Sequence, residues 1–468
     1  MIGIARYSAF SEVGSVEPLQ ARTLATIFVA AVILRLSNLL SIEDVQLTAF
    51  IEDSSLYWSG AQAWLDSGYF SVRKETGFIP ETERVPLYFL FLMAFHWVFE
   101  APLWPVLLSQ ISIDAGSCVV IASIGGLLSR RVGLVAGLFA IVWPNFIIHS
   151  SLILTESLFI FLLCLCLYFC ARFLADGRMQ TAFFAALFCG AAMATRPVVQ
   201  FLPFAMAFAA PFIVRRHGGK NLLAAGTGIL VLVVSFAPPS PLILRNLNIY
   251  DSPALTAQSG THLLYWITSR TISLRDGTPF EEVTQVLNDK LLAHAEKRGM
   301  DIAKQDPFTL SRMRTELALK ELSALPPGLL ARAWVQGGFV NLMAPAISIE
   351  PRLRSMSRAS FYNTPGDGLF ERVGAFISRN DPVYVGWTIV GIVSSVLGSL
   401  LVLYGFYRLC QARWWAALFA ALFVVYFLLI TGPVTSPKYR MPMEPILVLL
   451  QAIAFVCLAE RFRRRDEG

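Results

Sequence analysis

Two adjacent carboxylates, Glu52-Asp53, stand a dozen residues beyond the first long apolar stretch of the chain, in the run Phe50-Ile51-Glu52-Asp53-Ser54-Ser55-Leu56-Tyr57-Trp58. A carboxylate just outside a bilayer can take a proton from a hydroxyl while the apolar helices beside it hold a lipid-linked reactant. A third acidic residue, Glu156, opens a later apolar stretch between Thr155 and Ser157. As a plain helix feature it is a first-turn carboxylate favoured by the macrodipole, with Thr155 as the cap. As a functional group it positions a polar reactant at the same membrane face.

Chemistry of this kind needs a membrane scaffold, and composition provides one. Of 468 residues, 56% are hydrophobic and 15% charged, against about 25% charged in a soluble domain. Mean hydropathy is +0.60, and Phe alone numbers 35. Met1 to Gln20 has no apolar core of a cleavable signal, so the first span is expected to stay as an anchor. The net charge of +6 sits largely in short loops, which reads as a topology signal rather than a nucleic-acid footprint. All seven cysteines lie in or beside apolar stretches and lack metal-site spacing, so they are packing residues.

A span needs about 20 apolar residues. That rule predicts an all-α polytopic bundle of about ten spans (range 8–13), near 24–41, 103–129, 132–149, 157–174, 180–195, 198–214, 221–238, 384–407, 414–431 and 442–459. The basic loops Arg130-Arg131, Arg172 to Arg178, Arg215 to Lys220, Arg408 to Arg413 and the tail Arg461 to Arg465 then share one side with the N-terminus. By the positive-inside rule that side is cytoplasmic, and both termini lie there. Leu87 to Phe99 is too short to cross and reads as an interfacial or re-entrant helix, beside a second amphipathic helix around Trp58-x5-Trp64.

Three regions follow: an N-terminal transmembrane module, 1–239, with the outer loop 42–102; an outer-face segment, 240–383; and C-terminal spans with a basic tail, 384–468. Within the outer segment, 279–299 and 303–325 read as helices, interrupted by Asp306-Pro307 and ended by Pro326-Pro327. Ala331 to Pro345 is apolar but short, and Pro351 to Arg358 is a basic loop.

Several pieces in order resemble one family. They are Asp53-x3-Tyr57-x3-Ala61-x6-Gly68, Arg84-x-Pro86-Leu87-Tyr88, Gln110, Arg130-Arg131, Leu154 to Phe159, Thr195-Arg196-Pro197, Arg245-Asn246, Gly260-x2-Leu263 and Lys438-Tyr439-Arg440-Met441-Pro442-x2-Pro445. The chain resembles the multi-spanning C-type (GT-C) glycosyltransferases, in the family 39 and aminoarabinose-transferase-like branch. That resemblance implies transfer of a sugar from a polyprenyl-phosphate donor to a lipid, glycan or protein acceptor at the outer face of the plasma (inner) membrane, by single displacement with inversion. Two departures are visible: the family's paired Asp-Glu reads Glu52-Asp53 here, so that only Asp53 aligns, and the long outer segment carries no sequence assignable to a recognised acceptor-binding module.

Such a transfer needs a base for the acceptor, cations for the departing phosphate and an apolar groove for the carrier. Asp53 is the predicted base. Glu52, Tyr57, Arg84, Glu156, Arg196, Arg245 and Arg440 are the predicted substrate-binding residues, the four arginines converging on one phosphate through bidentate contacts. Arg196 has the plainer alternative of snorkelling at the interface. No cofactor is assigned. A divalent metal stays open, with His149 close in sequence to Glu156 but more in keeping with an interfacial hydrogen-bonding residue. Arg35 and Asp114 are charges inside spans one and two and are expected to pair structurally.

Two other classes compete. A secondary transporter or lipid flippase would use Arg35, Asp114, Glu156 and Arg196 along a pathway, and a membrane scaffold would use none of them. Transport favours charges at the midplane on broken helices and duplicated halves. Here the candidate charges gather at one face, and no internal repeat is visible.

Overall fold

The computed structural model describes residues 19–354, 356, 364 and 368–466. The expectations for Met1 to Pro18 and for part of the basic loop 351–358 fall outside those residues. Among the described residues seven helices are long and apolar enough to cross a membrane: Ala21–Leu40, Leu103–Gly126, Glu156–Asp176, Pro197–Arg216, Pro382–Ala412, Trp414–Thr431 and Pro437–Arg463. Two bent pairs, Arg130–Ile141 with Pro144–Ser150 (49°) and Asn221–Phe236 with Ser240–Tyr250 (68°), raise the number to nine.

Nine lies within the expected range of 8–13, and local chemistry explains where the structure departs from ten straight spans. Each bend falls at prolines, Pro144 in one pair and Pro238-Pro239 in the other, which cannot supply the N–H that a continuous helix needs. The tenth stretch forms Met179–Thr195, whose 17 residues reach only about 26 Å, short of the ~30 Å hydrocarbon core. All ten apolar stretches are helical, but three of them are not straight spans.

The final helix is the axis of the bundle: 89% of its apolar window is buried inside the protein. It packs on Pro382–Ala412, where a Cβ on Gly405 would fall 1.8 Å from the Leu450 carbonyl oxygen. Only glycine permits that approach, the usual device for bringing helices together in lipid. Leu103–Gly126 packs against the first span, Arg130–Ile141 and Glu156–Asp176. At its centre the fully buried Arg35 pairs with Asp114 and donates to the Ile141 carbonyl at 3.0 Å. The expected pairing is present, and it leaves neither charge alone in the bilayer.

Between the first two spans, Ser54–Ser67 and Leu87–Val98 form the two short helices anticipated there. A β-hairpin lies between them, Ser71–Lys74 antiparallel to Gly77–Pro80, which was not anticipated. Its turn depends on Gly77 at φ +116°, a conformation open to glycine. In the long segment, Phe280–Glu296 and Pro307–Ser323 pack through Val283, Leu287, Leu291 and Ala295, an apolar stripe repeating every four residues, against Met313, Leu317 and Ala318. The second helix starts at Pro307 rather than 303, because Asp306 accepts from the amides of Phe308 (2.9 Å) and Thr309 (3.0 Å). Gly260 lets the neighbouring turn press onto this helix: its amide donates to Ser311 Oγ at 3.0 Å, and a Cβ would meet the Ser311 carbonyl at 2.1 Å.

Candidate active site

A tight turn delivers the first two carboxylates. Glu52 adopts φ +48°, rare for a side-chain-bearing residue, and the Ser54 hydroxyl closes the turn by donating to the Ile51 carbonyl at 2.6 Å. The turn sends the neighbouring acids to different partners. Asp53 Oδ1 accepts from Arg84 Nη2 at 3.0 Å, while Glu52 Oε2 lies 2.9 Å from Lys438 Nζ. Asp53 is 42% exposed and Arg84 13%, so the carboxylate is open to an incoming reactant while the guanidinium is held from behind. Arg84 also stands over the Tyr57 ring, 5.7 Å from its centroid.

The opposite wall comes from the helix starts at Glu156 and Pro197. Arg196 caps the end of Met179–Thr195, pairs with the buried Glu156 and stands 5.6 Å from the Phe159 ring centroid. The Thr155 hydroxyl does not cap its helix, contrary to the plain reading of that position. It donates to Glu156 Oε2 at 3.2 Å and accepts from Arg196 Nη1 at 3.4 Å. Arg196 therefore holds a buried carboxylate instead of snorkelling.

Tyr57 joins the two walls. Burial pushes its phenol above the usual range, Arg196 and Arg84 oppose that shift, and Glu156 and Asp53 add to it, so all four charges act on one hydroxyl. Tyr57 packs edge-on against Tyr88, 5.3 Å between centroids, and Tyr88 donates to Gln110 Oε1 at 2.7 Å. Gln110 donates in turn to the Leu152 carbonyl at 2.8 Å, which ties the Tyr88 helix to the loop before Glu156. Lys438 lies within electrostatic reach of Arg196 and Glu156. The result is one cluster of three carboxylates, Glu52, Asp53 and Glu156, with three cations, Arg84, Arg196 and Lys438.

Two predicted arginines are engaged elsewhere. Arg245 donates to the Glu81 carbonyl at 2.5 Å and to Asn246 Oδ1 at 2.7 Å, and its guanidinium faces the Phe70 ring, pinning the base of the hairpin. Arg440 is buried, donates to the Leu342 carbonyl at 2.7 Å and pairs with Glu444 at 3.1 Å. Convergence of four arginines on one phosphate is not what the fold produces. Lys438 stands where Arg440 was expected, and the sequence held the signal. Two positions apart on the turn Pro437–Arg440, side chains point to opposite sides, so only one of the two could face Glu52. His149 is buried with Nδ1 2.8 Å from the Asn145 carbonyl. Among the described residues no three His, Cys, Asp or Glu side chains gather as a metal site.

Residues 83–244, about a third of the chain, match the family model described as dolichyl-phosphate-mannose-protein mannosyltransferase. Over that stretch the chain is similar to those mannosyltransferases. The matched stretch carries Arg84, Glu156 and Arg196 of the cluster. Among solved structures the chain is similar to ArnT from Cupriavidus metallidurans bound to undecaprenyl phosphate, at 13% identity and a TM-score of 0.39, over 93% of this chain and 78% of that one. It is also similar to the arabinosyltransferase EmbB from Mycobacterium smegmatis, at 14% identity and a TM-score of 0.36, over 95% of this chain and 42% of that one. No curated protein matches the chain significantly in sequence.

Proposed function

We propose that this protein is a membrane glycosyltransferase that moves a sugar from a polyprenyl-phosphate carrier to a hydroxyl or amine acceptor at the outer face of the plasma membrane, in a single displacement with Asp53 as base. The observation that carries this reading is the charge cluster at one end of the apolar bundle, with Asp53 at its open edge. The acceptor oxygen attacks the anomeric carbon, the bond from that carbon to the phosphate oxygen breaks, and the electron pair leaves with the phosphate. The acceptor proton passes to Asp53. Without substrate the three carboxylates and three cations balance. A carrier phosphate competes for N–H groups of Arg84, Arg196 and Lys438, and proton uptake by Asp53 offsets part of its charge. Arg245 and Arg440 act as structural anchors in this reading.

The outer-face assignment rests on the opposite end of the bundle. There Arg131 pairs with Glu460 at 2.9 Å and Arg413 donates to the Leu127 carbonyl at 3.1 Å, so basic loops collect away from Asp53, in keeping with a cytoplasmic side. Purified protein in lipid nanodiscs, incubated with a panel of polyprenyl-phosphate sugars, should release the free carrier with at least one donor when candidate acceptors are present. Failure to release carrier from every donor, with folded protein, would overturn the proposal.

A further inference from the structure

A second cavity, apart from the charge cluster, has a volume of about 520 Å³ and lies between the turn 261–268 and the helices Phe280–Glu296 and Pro307–Ser323. The size is that of a small-molecule site, and aromatic faces alternate with polar groups along it. Trp266, 48% exposed, stands 5.9 Å from the Phe280 ring at 41°, leaving an indole face open. Tyr265 donates to Asn288 Oδ1 at 2.9 Å, which fixes the amide so that its N–H groups remain as donors. Gln285 completes the polar rim, and Glu281 and Arg314 place one charge of each sign on it.

Two details shape this open groove. The segment His262–Thr268 is a π-helix, with Thr268 Oγ1 donating to the Leu263 carbonyl at 2.8 Å; such widened turns often accompany function. Arg314 is fixed by donating from Nη1 to Thr261 Oγ1 at 2.9 Å and by facing the Tyr265 ring at 5.6 Å. Its Nε is buried and finds no acceptor among the described residues. Leu263 and Ile267 of the same π-turn share an apolar cluster with Tyr439, the neighbour of Lys438, so the turn lies between the cavity and the charge cluster.

We infer that the cavity is a carbohydrate subsite for a neutral oligosaccharide, one pyranose ring stacking on Trp266 while its hydroxyls engage Asn288 and Gln285. Cancelling charges on the rim and an open aromatic face suit a neutral sugar. Resting on the transferase reading, the inference makes the acceptor a glycan whose chain runs from this cavity, past the π-turn, to Asp53. The test separates the two ideas. Binding of neutral glucose, galactose and mannose tetrasaccharides, and of a uronic-acid tetrasaccharide, is followed by saturation-transfer NMR on the full chain in nanodiscs. Carrier release is measured independently. At least one neutral probe should bind saturably, and W266A and, at a second exposed position, Q285A should each weaken it about tenfold or more. In a transfer assay with that probe as acceptor, both should raise its KM more than they lower kcat. No binding by any neutral probe, binding by the acidic probe alone, or binding unchanged in both variants would overturn the inference. Saccharide binding without carrier release would instead count against the transferase reading.

Discussion

The Lys438 ammonium lies 2.9 Å from the Glu52 carboxylate although 386 positions separate the two residues. That pair closes the cluster around Asp53 by joining the start of the last span to the turn after the first. In our reading Lys438 is also a phosphate ligand, with a charge-assisted contact contributing about 1.5–3 kcal/mol. K438Q should therefore raise the KM for a polyprenyl-phosphate donor roughly 10- to 100-fold. R440Q should instead lower thermal stability, because Arg440 holds Glu444 and the Leu342 carbonyl. Steady-state kinetics and melting curves on the two variants check the contrast, and an unchanged donor KM in K438Q would remove Lys438 from the site.

Asp53→Asn keeps the side chain's shape and its acceptor oxygen for Arg84 but cannot take the acceptor proton. Transfer should fall roughly 10²-fold or more, the usual scale of general-base assistance. Folding should persist, since Asp53 is substantially exposed. Carrier release within a few-fold of wild type would pass the base role to Glu52 or Glu156.

Arg196→Lys retains the charge but not the planar fork that can hold Glu156 and a phosphate together. We expect carrier release to drop roughly 10- to 100-fold, the loss of one charge-assisted contact at the transition state. Wild-type kinetics in this variant would mean that Arg196 serves only its buried carboxylate.

Arg35 and Asp114 are both buried in the bundle, so removing one leaves the other charged in an apolar interior. Arg35→Leu alone should destabilise by about 3–5 kcal/mol, whereas Arg35→Leu with Asp114→Leu should recover most of that loss. Thermal denaturation in nanodiscs distinguishes the outcomes. Equal melting temperatures for the single and double variants would show that the pair does not act as a unit.

His262 links the π-turn to the cluster electrostatically. Burial, and then the Lys438 charge, hold its imidazole below the usual range. Its folded-state affinity for a proton is thus weaker than that of the unfolded chain. As pH falls through the usual imidazole value of about 6.5, the unfolded state gains more protons and stability drops. The contribution is intact above that value and lost below it. His262→Gln should make the fall of melting temperature between about pH 7 and pH 5 shallower than in wild type. An identical slope would show that His262 does not contribute.

Much of the membrane architecture was legible in one dimension. Length and apolarity of each stretch decide whether a helix forms in lipid, because every backbone polar group must be satisfied within its own segment. The ten apolar stretches follow from that rule, the two short helices after the first span from their length and amphipathic pattern, and the Arg35–Asp114 pair from the cost of a lone charge in lipid. Helix direction did not: Pro144 and Pro238-Pro239 mark breaks, but the 49° and 68° bends depend on what packs beside them. At the candidate site, the family resemblance together with residue type and helix-end position picked out Asp53, Arg84, Glu156 and Arg196, since a charge that borders lipid must sit at a helix end or find a partner. Which partner it finds is a tertiary matter. Arg245 and Arg440 carry the same guanidinium as Arg84 and Arg196, yet the fold commits them to backbone carbonyls and Glu444. Lys438 reaches Glu52 only because the last helix lies at the centre of the bundle. A sequence specifies the reach and charge of each side chain, but the pairing between residues hundreds of positions apart is decided by how the helices pack.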